Sequence, residues 1–159
     1  MPHVSMEYAI MVPVLLLQVI LIPMAAGWMM DVWVVRRRET ALQDVASHMG
    51  TAIQQLYFSL NSEEVAVGIT SHSPKVPPFI ESIPYVITAS DRKVESSTII
   101  DLHLALIGMG TTANSRVTLG PNVLWQQSAG VRAPFLSNAT SASIYVEKFP
   151  NGTLGFSFG

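Results

Sequence analysis

The side chains able to do chemistry are few and scattered. Four histidines, His3, His48, His72 and His103, offer metal ligation or acid–base work, and both jobs need partners at fixed spacing. No HExxH or paired-ligand pattern surrounds any of them. Asp101 and His103 stand two apart, so on a strand they share a face. That spacing suits an ordinary hydrogen-bonded pair. Gly108-Met109-Gly110-Thr111-Thr112 is glycine-rich, yet no lysine follows it as a phosphate loop requires. The chain has no cysteine, which excludes a disulfide framework and thiolate chemistry. No catalytic residue, metal site or cofactor is expected, and the chain does not read as an enzyme. Two asparagines carry a different chemistry. Asn138-Ala139-Thr140 and Asn151-Gly152-Thr153 both fit the N-x-[ST] acceptor for N-glycans, although Asn151 also falls in an expected hairpin turn.

What remains is Glu7, the one charged side chain in the first 30 residues. Behind it runs YAIMVPVLLLQVILIPMAAGWMM, Tyr8 to Met30, in which Gln18 is the clearly polar residue. Roughly 23 residues make about 35 Å of helix, enough to cross a hydrocarbon core of about 30 Å. Apolar residues run all the way round, so this helix must be covered by lipid or by other helices. A secretory signal has a basic n-region and a shorter apolar core. MPHVSM has no Lys or Arg and the helical pattern continues beyond Met30, so the segment is expected to be retained.

Glu7 lies near the positive end of such a helix, which favours a carboxylate by ~0.3–1 kcal/mol. Buried among neighbouring helices it needs a counter-charge, and the α-amino group of an adjacent subunit is the candidate. Pro13 and Pro23 each remove one backbone hydrogen bond and crowd the carbonyl four residues back. A kink or melted turn is expected near residues 20–24. Ala25-Ala26-Gly27 adds small residues that permit close helix approach. Trp28 and Trp33 suit either a membrane–water interface or packing between subunits.

Glu7-Tyr8-Ala9, then Pro13, then Leu15-Leu16-Leu17 resembles the N-terminus of type IV pilin-like proteins, and in particular the E-[FY]-A-x-x-x-P-x-L-L pattern of TadE-like pseudopilins; archaeal pilins belong to the same group. The resemblance covers residues 5–30 closely, continues in style to about residue 60, and does not reach the C-terminal part. It implies a filament subunit whose helix first sits in the membrane and then packs in a filament core, with Glu7 at the family's signature glutamate. The family's basic leader is not seen before the helix, so its peptidase site is missing or already removed.

Beyond Asp31, Leu42, Val45, Met49, Ile53, Leu56 and Leu60 recur at spacings of three and four, while Gln43, Asp44, Ser47, Gln54 and Gln55 fall elsewhere. That is an amphipathic helix with one apolar stripe. Joined to the apolar segment it makes one N-terminal element over residues 1–60. Arg36, Arg37 and Arg38 interrupt it. By the positive-inside rule they would hold the C-terminal part in the cytoplasm, against the pilin-like reading. Alternatively they pair with Asp31, Glu39 or Asp44 at helical spacing.

From residue 61 to 159 the grammar changes. Pro74, Pro77, Pro78 and Pro84 interrupt any helix. Ile99 to Leu106 reads as a well-buried strand, and Ser143–Phe149 with Thr153–Phe158 flank Pro150-Asn151-Gly152 as a hairpin. Weaker strands are expected at Val65–Thr70, Tyr85–Thr88, Val117–Leu119, Val123–Gln126 and Val131–Phe135. The fold class is α+β, a long hydrophobic helix followed by a β-sandwich-like domain.

Charged residues are 13% and apolar residues 49% of 159, with net charge −2, which gives no electrostatic case for nucleic acid. Ser and Thr outnumber charged residues, as suits an exported, glycosylated surface. The expected protein is a structural subunit of an extracellular pilus-like filament serving adhesion or attachment, with identical subunits as partners, N-glycans on its surface, and a membrane-inserted precursor. The alternatives are a non-polymerising single-span protein displaying a β-domain, or a minor assembly pseudopilin.

Overall fold

The computed structural model describes residues 3–126 and 134–159. One helix, α1, runs His3–Leu60, and eight strands follow. They are β1 (Gly68–His72), β2 (Tyr85–Val94), β3 (Ser97–Leu106), β4 (Thr112–Leu119), β5 (Val123–Trp125), β6 (Phe135–Leu136), β7 (Ile144–Lys148) and β8 (Leu154–Phe158). The chain divides into two compact units, and the division falls within α1: one unit reaches Arg37 and the other is Arg38–Gly159. The change of composition at residue 60 is therefore a change of secondary structure, while the second unit takes in the last turns of the helix.

The strands form two four-stranded sheets, ordered β1-β7-β8-β5 and β4-β3-β2-β6. All pairings are antiparallel except β5 with β8, which is parallel. The expected strand at 99–106 is β3, whose even-numbered residues Ile100, Leu102, Leu104 and Leu106 are buried. The expected hairpin is β7–β8. Its turn closes through Phe149 N–H to Thr153 O at 2.9 Å and Gly152 N–H to Phe149 O at 3.0 Å, with Gly152 at φ +77°, a conformation that favours glycine. The weaker expectations hold in place but not in length. β2 extends to Val94, β4 starts at Thr112, and β1 begins at Gly68. Residues 131–133 lie outside the described residues, and β6 begins at Phe135.

Why the helix joins the core is legible in its stripe. Leu42, Val45, Ala46, Met49, Ile53, Tyr57 and Leu60 are buried while Gln43, Asp44, Ser47, Gln54 and Gln55 are exposed, the three-and-four spacing of one buried face. These side chains form one cluster with Ile87, Leu102, Leu104, Val117 and Phe135 of one sheet and Val123, Ile144, Val146, Leu154 and Phe156 of the other. The β-sandwich-like domain is thus completed by a helix. Edge-to-face rings hold the sheets together, Phe158 of β8 lying 5.6 Å from Phe135 of β6 and 4.8 Å from Trp125. The chain after β4 passes so close to the helix that a Cβ at Gly120 would collide with the Tyr57 hydroxyl.

Polar ties fasten the loops. The buried Lys148 donates from Nζ to Ser62 O at 2.6 Å and Val65 O at 2.9 Å, pinning the chain just after α1. The buried Tyr85 donates its hydroxyl to Pro77 O at 2.7 Å, and Ser137 Oγ bridges Tyr85 N–H and Pro78 O. Burial pushes the Tyr85 phenol from 10.0 to about 12, because the phenolate would lose its hydration. At Glu81 and Ser82 the chain turns with both residues at positive φ between Ile80 and Ile83, which exchange two backbone hydrogen bonds of 2.9 Å. Arg38 Nε donates to Glu81 Oε2 at 2.6 Å and holds that turn against the helix.

A candidate assembly and membrane surface

The functional candidate is not a pocket but the first half of α1. Every side chain from Ile10 to Trp33 is exposed. Tyr8, Ile10, Leu16, Ile20, Ile22, Met24 and Met30 each leave more than 60% of their surface uncovered. Over Ile10–Leu60 the helix is long and apolar enough to cross a membrane. Burying a Val, Leu, Ile or Met side chain is worth about 1.5–3 kcal/mol, so a dozen together amount to roughly 20–35 kcal/mol. A domain's whole stability is only about 5–15 kcal/mol. A surface of this kind is covered in the working state, because nothing else in the chain offsets its exposure to water.

The structure distributes the expected site residues along this element. Glu7 and Tyr8 lie in α1, with Tyr8 exposed at 65%. The first turn holds no acidic residue, so Glu7 stands past the reach of the helix dipole, which fades within that turn. The dipole therefore contributes less to Glu7 than its position in the sequence suggests. Pro13 and Pro23 both lie inside α1, and the helix is unbroken through both. This corrects the expectation of a melted turn at residues 20–24. Each proline deletes one bond and leaves the carbonyls of Ala9 and Val19 without their usual donor, but it breaks a helix only where another conformation is better. In an all-apolar stretch none is, since every alternative frees more backbone groups.

Trp28 and Trp33 are exposed at 70% and 59%. The Arg37 guanidinium lies over the Trp33 ring, 5.6 Å from its centroid, as the i,i+4 spacing on a helix allows. The expected pairing of the arginine cluster with Asp31, Glu39 or Asp44 is replaced, for Arg38, by Glu81, 43 residues away. No local pattern pointed to that partner.

The dispersed polar residues stay dispersed. Among the described residues no group of three His, Cys, Asp or Glu side chains is placed to hold a metal ion. Asp101 and His103 share the outer face of the β4-β3-β2-β6 sheet but do not bond to each other. Asp101 takes Arg116 at 2.8 Å and Arg92 at 3.6 Å, while His103 Nδ1 meets Asn114 Oδ1 at 2.7 Å. In antiparallel register Arg116 and Asn114 stand directly opposite Asp101 and His103, so cross-strand partners win over the neighbour two residues along. Gly108 to Thr112 turns β3 into β4, with Gly108 at φ +78°.

Of the two glycan acceptors, Asn138 is exposed in the turn after β6. Asn151 is also exposed, but its Oδ1 accepts the Thr153 N–H at 3.0 Å, the turn role foreseen for it. No protein-family model, no curated protein and no solved structure matches this chain.

Proposed function

We propose that the chain is a structural subunit of an extracellular, pilus-like filament, which polymerises through α1 and waits in a membrane before assembly. The observation that carries this reading is the uncovered apolar surface from Ile10 to Trp33, attached to a helix whose later turns belong to a folded domain. Lipid satisfies that surface in the precursor, and the same surface of neighbouring subunits satisfies it in the filament. Glu7, Tyr8, Pro13, Pro23, Trp28 and Trp33 form the assembly set. The resemblance of residues 5–30 to TadE-like pseudopilins supports the same reading, which also takes the outer domain as the part that meets a surface, with N-glycans at Asn138 and, less readily, at Asn151.

A second reading has an observation of its own. The Arg36–Arg38 cluster behind the apolar stretch suits a single-span protein that displays its β-rich domain and never polymerises. Deleting residues 8–30 tests the first reading. The truncated chain should be a soluble monomer by sedimentation, with its β-rich domain folded. Filaments built from the truncated protein would contradict the assignment of assembly to α1.

A further inference from the structure

The arginines at the end of the apolar stretch have a chemistry of their own. No Lys or Arg precedes Arg36, so the basic charge of this helix is gathered at one end. Arg36 follows Val35 directly, and both arginines are exposed. At 100° per residue, Arg36 and Arg37 fall ~60° and ~40° to either side of Trp33, while Asp31 and Glu39 fall ~160° and ~120° away from it. Trp33, Arg36 and Arg37 therefore share one face from which the nearby carboxylates are turned aside. Arg37 stacks on the Trp33 ring at 5.6 Å, which holds one edge of its guanidinium outward.

We propose that Trp33, Arg36 and Arg37 form a binding face for the phosphate groups of anionic lipids at one end of the membrane span. The proposal rests on the membrane-inserted precursor described above. Three features fit a lipid surface. The face continues an apolar segment without a break, so it enters the headgroup layer as that segment ends. A tryptophan ring sits with its body in the interfacial region, where amphipathic rings are favoured. A guanidinium presents a planar fork that grips phosphate oxygens through paired hydrogen bonds, which an ammonium cannot match. The arginine cluster then anchors the waiting subunit and keeps its helix from sliding deeper. It has a role here that does not depend on which side of the membrane holds the domain.

Lipid association measured by electron spin resonance tests this. The full chain is reconstituted in phosphatidylcholine vesicles containing a trace of spin-labelled phosphatidylglycerol or spin-labelled phosphatidylcholine, and the motionally restricted fraction is compared. The expected result is a preference for phosphatidylglycerol on the order of five-fold. It should shrink with added salt, disappear in R36Q/R37Q, and survive in part in R36K/R37K, which keeps the charge but loses the fork. R36Q/R37Q should still restrict lipid, because Tyr8–Met30 is untouched. If the wild-type chain restricts no lipid at all, the membrane-inserted precursor itself is wrong. Restricted lipid without a headgroup preference overturns the phosphate-binding face alone. A preference that persists unchanged in R36Q/R37Q assigns the binding to other residues and overturns the proposal as well.

Discussion

A carboxylate in an apolar helix is stable only where something answers its charge, since removing one partner of a buried pair costs roughly 3–5 kcal/mol. Glu7 stands alone in charge over the first 30 residues, and its place beyond the first turn of α1 weakens the dipole as its explanation. The remaining account is a partner from another subunit. Glu7→Gln keeps the shape and removes the charge, so it should lower filament yield while leaving the amount of membrane-bound subunit unchanged. Equal yields of filament from both proteins would reduce Glu7 to a marker of the membrane surface. Tyr85 offers a test of the domain that does not depend on assembly. Its phenol is raised from 10.0 to about 12, so the neutral form is the one the fold favours. Its contribution is complete below pH 10 and is lost as pH rises through about 12, a swing on the order of 2–3 kcal/mol. Tyr85→Phe should flatten the fall in urea midpoint over that alkaline range. At neutral pH it should cost about 1–3 kcal/mol, because Pro77 O loses its donor. At this scale the sequence was least informative. Arg38 with Glu81, Lys148 with Ser62 and Val65, and Tyr85 with Pro77 are set by tertiary approach, and two of the three join residues 43 and 86 positions apart. Local spacing carries no trace of such pairs. The Asp101–His103 expectation failed for the same reason, as cross-strand register outranks neighbours along one strand.

At the scale of the element, α1 joins two different physical problems in one helix. Its later turns follow the three-and-four stripe, which was readable because an amphipathic helix must show one face to a core. Met49 lies at the middle of that stripe with no exposed surface. Met49→Ala should therefore destabilise the domain by about 2–5 kcal/mol, measured as a lower denaturant midpoint with unchanged slope. The first half shows no stripe, and that uniformity was itself the signal for a covered surface. The prolines were misjudged. Their cost in water suggested a melted turn, yet an apolar helix has no better conformation to melt into, and α1 continues through Pro13 and Pro23. Strands were legible where alternation or a turn signal was strong, as in β3 and the β7–β8 hairpin. Short edges such as β6 were not, since two residues leave no periodicity to read.

For the whole molecule, the α+β class and the helix-then-strands order were readable because composition changes sharply after residue 60. The sheet order was not. The parallel pairing of β5 with β8 joins residues about thirty apart, and nothing in either strand names its neighbour. Nor did the sequence indicate that the helix would complete the core of the β-rich domain, since its stripe shows only that some partner exists. The central claim is that this chain builds filaments through the surface it leaves uncovered. Electron microscopy of sheared cell-surface material, labelled with an antibody raised against the β-rich domain, tests it most directly. The account predicts regular label along the whole length of thin filaments. Label confined to membrane fragments, with unlabelled filaments beside them, would contradict it and leave the chain a single-span protein that never polymerises.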